Sequence, residues 1–187
     1  MKFNYKIVPL LLGAMIYGNA FAVEYNKVQN NKSSIEFSYQ QMGVGMNGKF
    51  NRFSSQINFD PAKPNLTKAS FDIELASIDT GSAEADSEVV GKSWFNAKLF
   101  PTAKFVATNV SLTSENRYDV VGKLTIKGQS KDLKIPMSFS KNGNFGFLEG
   151  SFTIRRGDFK VGEGDWAKFD LVANDVQVRF KIAINGK

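Results

Sequence analysis

The 187-residue chain contains no cysteine and no histidine, carries 24 basic against 18 acidic residues, and holds 17 phenylalanines. The missing residue types exclude disulfide frameworks, thiolate chemistry, Ser-His-Asp and Cys-His arrangements, and the commonest general base and metal ligand. The net charge of +6 is interspersed along the chain, which suits solubility and weak attraction to anionic membrane surfaces and argues against a nucleic-acid site.

Residues 1–22 have the three-part layout of a secretory signal peptide: Lys2 and Lys6, an apolar run over 7–16, and Ala20-Phe21-Ala22 as a small-x-small cleavage site. The apolar run is too short to span a bilayer. We therefore expect a cleaved leader over 1–22 and one exported domain over 23–187, with a net charge of +4 once Lys2 and Lys6 are removed.

From there the dominant signal is period-2 alternation, which sends one set of side chains to one face of a strand. The apolar sets are Ile35, Phe37 and Tyr39; then Ala69, Phe71, Ile73 and Leu75; then Tyr118, Val120, Leu124 and Ile126; then Leu133, Ile135, Met137 and Phe139. The last run is the clearest, with Val176, Val178, Phe180, Ile182 and Ile184 against Asp175, Gln177, Arg179 and Lys181. Asp60-Pro61, Lys127-Gly128 and Asn142-Gly143 supply turns between runs. Phe145 and Phe147 share one parity and Phe152 and Ile154 the other, so a bulge at Gly150 is expected to absorb the slip. The pattern predicts an all-β domain, an antiparallel β-barrel of about eight strands.

One stretch interrupts the strands. Over 77–105, Thr80 or Ser82 is placed to cap a short helix, with Glu84, Asp86 and Glu88 near its positive end and Gly91 stopping it after two turns. These acids, with Asp79, read as a solvated helix start and not as a catalytic carboxylate pair, for which neither separation nor pKa splitting is visible. The formal G-x-G-x-x-G of residues 43–48 is followed by a strand-like run, so it reads as hairpin glycines and not as a dinucleotide site. Arg156-Gly157-Asp158 reads as an arginine–aspartate pair in a turn.

Alternation alone leaves the interior open, since a packed core and a ligand cavity are lined by the same residue types. The chain resembles the YceI-like lipid- and polyisoprenoid-binding family on six segments in order. These are Ser33–Phe37 with Met42-Gly43-Val44; Gly48-Lys49-Phe50 with Phe53 and Phe59-Asp60-Pro61; and Ser77-Ile78-Asp79-Thr80-Gly81. They continue with Trp94-Phe95-Asn96 and Phe100–Phe105, with Gly122–Thr125 and Lys127–Lys131, and with Arg156–Phe159. The resemblance implies a periplasmic, lipocalin-like barrel around a long apolar chain, closed at one end by the short helical insertion. It departs from the family pattern at Lys32, Gln41 and Glu88, where relatives often carry histidine, and at Ala85, where arginine often occurs. A head-group role carried by those residues is therefore lost or altered in this chain.

On parity and resemblance together, Phe37, Phe50, Phe71, Ile73, Leu75, Leu124, Phe152 and Phe180 are expected to line the cavity, with Trp94, Phe95 and Phe100 at its mouth. The expected role is a non-enzymatic carrier of a long-chain amphiphile such as a polyisoprenoid, an isoprenoid quinone or a fatty amide. No metal or cofactor is expected beyond that lipid; transient membrane contact and homodimerisation stay open. The competing reading is a solid-cored envelope module that binds protein partners and no lipid.

Overall fold

The computed structural model describes residues 24–186, so the leader expected over 1–22 lies outside the described residues. Within them the chain forms eleven strands and one α-helix. The strands are β1 (Tyr25–Val28), β2 (Ser34–Gln41), β3 (Val44–Phe50), β4 (Phe53–Asn58), β5 (Lys68–Glu74) and β6 (Ile78–Asp79). After helix α1 (Ala83–Val89) come β7 (Thr102–Ser114), β8 (Arg117–Ile126), β9 (Gln129–Asn142), β10 (Phe145–Arg155) and β11 (Asp175–Gly186). The sheet order is β4-β5-β7-β8-β9-β10-β11-β2-β3-β6, with β1 paired to β11, and the ladders are antiparallel.

The strand count exceeds the eight expected, because β1 and β6 are short closing pieces with no alternation of their own. Tyr25 exchanges two backbone hydrogen bonds with Phe59, just beyond β4, at 2.8 and 2.9 Å while β1 pairs with β11. At the other end of the seam, β6 pairs with the last residues of β3, Lys49 with Asp79 and Phe50 with Ile78. The corner between β3 and β4 is tied in as well, since Asn51 N–H donates to the Ser77 carbonyl and Arg52 N–H to Ser77 Oγ, both at 3.0 Å. These links curl the sheet into an antiparallel, lipocalin-like barrel.

Every apolar set read from alternation points inward. In β11, for example, Ile182 and Ile184 are buried while Arg179 and Lys181 are exposed. Space for the inward rings comes from glycines on neighbouring strands. A Cβ on Gly150 would lie 2.6 Å from the Phe180 ring, and one on Gly146 would lie 2.5 Å from Phe139. Gly48 and Gly122 would collide in the same way with Phe37 and Phe105.

The bulge expected at Gly150 is absent. β10 keeps unbroken register with β11 from Phe145 to Arg155, so Phe145 and Phe147 point outward. There the ammonium groups of Lys32 and Lys181 sit 4.3 and 5.0 Å from their ring centres, a partly wet setting that aromatic rings tolerate. The register shift falls instead in β7, where Thr108 is skipped between the pairs Ala107–Gly122 and Asn109–Val121. That extra residue lets Ala103 and Phe105 on one parity and Val110 on the other all face inward.

One end of the barrel is plugged by rings: Phe59 meets Tyr118 and Phe139 edge-on at 5.4 and 5.2 Å, and Tyr25 meets Phe139 at 5.2 Å. The other end is covered by α1, the loop over 90–101 and the segment over 156–174. Gly150→Val is expected to lower stability by about 1–3 kcal/mol, because its Cβ would meet the Pro136 carbonyl at 2.6 Å, backbone that cannot turn aside, as well as the ring of Phe180. Urea denaturation checks this, and Phe180→Leu in the same chain should recover part of the loss.

Candidate functional site

The barrel encloses a cavity of about 490 Å³. Phe37, Phe50, Phe71, Ile73, Leu75, Leu124, Phe152 and Phe180 all stand on its wall, as do Trp94 and Phe95. Phe50, Phe71, Phe152 and Phe180 are only half-buried although they point inward, since part of each ring faces the hollow. Phe100 is the exception. It lies against the turn between β8 and β9, 3.1 Å from where a Cβ on Gly128 would sit, and it does not reach the cavity. Pro101 delivers the chain directly into β7 at Thr102, so the preceding residue is spent on the corner.

Two halves make the cap. In the first, Ser82 caps α1 by accepting from Ala85 N–H, and Asp86 accepts from both the N–H and the hydroxyl of Thr80 at 2.7 Å. Asp79 accepts from Gly81 N–H at 3.0 Å and pairs with Lys49, which holds its carboxyl below the usual range. The acids of this window are thus occupied with local structure. Glu84, Ala85, Glu88 and Val89 of α1 face the hollow.

The second half is organised by Arg156. This residue is 3 % exposed. Its guanidinium donates to the backbone carbonyls of Val161, Gly162, Trp166, Lys168, Val172 and Ala173, at 2.8 to 3.2 Å. It lies 5.3 Å from the Trp94 ring and 4.9 Å from that of Phe169. The expected pairing of Arg156 with Asp158 does not form, because the turn buries the arginine and leaves the aspartate in solvent. Lys127 plays a parallel part: its buried ammonium donates to the carbonyls of Lys92 and Lys160 and to Glu163 Oε2 at 2.7 Å. Across the gap between the halves, Trp166 Nε1 donates to Glu88 Oε1 at 3.0 Å, and Trp166 packs on Trp94 at 5.3 Å. Trp94 is itself buried, and its indole N–H has no partner among the described residues.

Apart from Thr67 at the plugged end, the polar members of the wall gather at this end. Gln41, Thr80, Glu84 and Glu88 line the hollow there, and Glu84 and Glu88 are also exposed, which marks the mouth. Tyr39 stands close by, its hydroxyl pKa raised by burial and by the Asp86 charge.

Residues 26–184 match the family described as the YceI-like domain. The chain belongs to the YceI-like family. A UPF0312 protein of Ectopseudomonas mendocina (strain ymp) is 32% identical over 165 residues, covering 83% of this chain and 86% of that protein. The UPF0312 protein YE1254 of Yersinia enterocolitica is 33% identical over 146 residues, or 76% of each chain. Among solved structures, Burkholderia cenocepacia BcnA superposes with a TM-score of 0.82 at 38% identity, covering 84% of this chain and 99% of that one. A polyisoprenoid binding domain from Saccharophagus degradans shares the fold alone, at 14% identity and a TM-score of 0.67, over 89% of this chain and 99% of its own.

Three of the four departures from the YceI-like pattern, Gln41, Ala85 and Glu88, come together at the mouth. The fourth, Lys32, sits outside the barrel on Phe145. Sequence reasoning missed Phe159, Val161, Val172 and Trp166, which close the hollow from the segment over 156–174. That segment has no period to read. Its available signals were the dense aromatic and glycine content and an arginine at the end of a strand.

Arg156→Met should cost at least about 3 kcal/mol, since it leaves buried carbonyls unpaired. Arg156→Lys should rescue little, because three donors on a point cannot replace a fork. Chemical denaturation gives the loss, and hydrogen exchange should place it in residues 157–173. Glu163 carries a pH signature. Its hydrogen bond from Lys127 holds its carboxyl below the usual range. The stabilisation is therefore complete above the ordinary carboxylate range, about pH 4, and disappears as pH falls through the lowered folded value. Cap protection in wild type should fall across that acid limb, and Glu163→Gln should flatten the fall.

Proposed function

We propose that this protein is an exported, periplasmic carrier that encloses the apolar chain of a long-chain amphiphile and does no chemistry on it. The observation that carries the reading is the hollow interior: about 490 Å³ with a wall made mostly of Phe, Ile, Leu and Val. That volume falls within the range of about 300–1,000 Å³ typical of small-molecule sites. Each methylene removed from water contributes about 0.8 kcal/mol, so a long chain is held without specific polar contacts. The name of the polyisoprenoid binding domain from Saccharophagus degradans, which shares this fold, supports the same class of cargo.

The mouth narrows the head group. Glu84 and Glu88 stand there with Gln41 and Thr80, while the donors of Arg156 are all committed to backbone carbonyls. Such a mouth disfavours a pyrophosphate and favours an uncharged or cationic head, as in an isoprenoid quinone or a fatty amide. The export reading rests on the basic, apolar and small-residue start of the chain. Among the described residues no helix is long and apolar enough to cross a membrane.

Mass spectrometry on an organic extract of protein purified without detergent is expected to find one amphiphile near equimolar ratio. Phe71→Trp and Leu124→Trp, with circular dichroism unchanged, should each reduce uptake of added isoprenoid quinone several-fold. A clean extract together with failure to take up quinones and polyprenols would overturn the reading in favour of an envelope module that binds protein partners.

A further inference from the structure

The hairpin between β2 and β3 ends in an unusual tip. The nine residues from Gln40 to Gly48 carry no charge. Met42 and Gly43 form the two-residue turn, with φ of 51° and 79°. That turn type ordinarily takes Asn or Asp before the glycine. Here it presents Met42 at 72 % exposure, followed by Val44 at 61 %. Isolated exposed apolar residues need no explanation, but these have company.

The tip is zipped to the cap. Met42 N–H donates to the Leu171 carbonyl at 2.8 Å, and Ala173 N–H donates to the Gln40 carbonyl at 2.9 Å. Between those bonds Gln41 bridges Val172, and both of these residues face the cavity. Alternation then sends their neighbours Met42 and Leu171 to the opposite side of the same lip. Leu171 is 45 % exposed and Phe169, two residues earlier, 48 %. The outcome is an apolar rim at the cavity mouth, with Met42 and Leu171 on its outer side and Val44, the ladder partner of Gln41, on the other. Lys168 and Asp170, which flank Phe169 in the chain, offset each other.

We propose that this lip, built from Met42, Val44, Phe169 and Leu171, docks on a lipid bilayer so that cargo passes between membrane and cavity without crossing water. The proposal rests on the carrier reading above. The chemistry selects a bilayer interface: an uncharged apolar tip enters the boundary between head groups and chains at little desolvation cost. Anionic surfaces and acidic proteins call for a cationic patch, which the lip lacks. Docking by this lip therefore differs from the attraction implied by the net charge of the chain, because apolar insertion is insensitive to salt.

The test uses the full mature protein and vesicles of pure phosphatidylcholine. Co-sedimentation at about 50 mM and about 500 mM salt is expected to agree within about twofold. Met42→Asp with Val44→Asp, neither of which lines the cavity, should weaken vesicle binding about tenfold or more. Leu171→Asp, made separately, should act in the same direction. Uptake of decylubiquinone from dilute solution should be unchanged in these variants, while its transfer from vesicles slows about tenfold. Docking is refuted by wild-type uptake from solution without vesicle binding, by binding that vanishes at high salt, or by variants that transfer as fast as wild type. It is equally refuted if sedimentation equilibrium shows the patch covered by a second copy of the chain. Failure of every protein to take up lipid from solution or vesicles refutes the carrier reading itself, and the docking proposal with it.

Discussion

An apolar wall around empty space forgoes the contacts that hold an ordinary core together. In a filled barrel, side chains from opposite strands meet on the axis and supply dispersion energy to each other. Here about 490 Å³ lies between them, so the wall must stabilise itself along its own surface. It does so with long antiparallel ladders and with rings laid sideways over glycines of adjacent strands. Phe37 covers Gly48 and lies 5.5 Å from Phe50 and 6.1 Å from Tyr39. Each such ring gives one face to its neighbours and leaves the other to the hollow. A side chain at the glycine would push the ring toward the axis and fill the space.

A barrel built this way can leave its mouth neither open to water nor covered by another strand. The cap is therefore irregular backbone, and irregular backbone over an apolar cavity has carbonyls without partners. Arg156 answers six of them from one buried guanidinium. Carbonyl dipoles and the faces of Trp94 and Phe169 offset the desolvation that a carboxylate would otherwise offset. Lys127 fastens the same segment to the turn after β8 and to the loop before β7. The choice of carbonyls over acids means that the buried guanidinium needs no carboxylate beside it.

How far the sequence discloses this arrangement follows from what alternation can encode. Strands with one apolar and one polar face were legible, and so were the lining residues that those strands carry. Phe145 and Phe147 misled because a phenylalanine was assumed to be inside; the ladder puts them outside, under Lys32 and Lys181. The bulge at Thr108 was readable in principle, since Ala103 and Phe105 differ in parity from Val110. The two-turn helix and its cap followed from Ser82 and Gly91, as local signals should. Arg156 was not legible, because its partners are carbonyls from a segment without periodicity, and a carbonyl has no side-chain identity to read.

The two ends of the barrel differ in the kind of bond that closes them, and that difference decides which end opens more easily. The far end is sealed by Tyr25, Phe59, Tyr118 and Phe139, packed edge to face and threaded by the strand that completes the barrel. Opening it would expose four rings and break a ladder. At the mouth, α1 meets the second half of the cap through one exposed hydrogen bond, from Trp166 to Glu88. An exposed bond of that kind contributes little net stability, since water replaces it readily. Local opening draws on the least stable contacts of a fold, so the hollow opens to solvent more readily past α1 than at the plugged end. The apolar lip formed by Met42 and Leu171 stands on that same side, beside the weaker of the two closures.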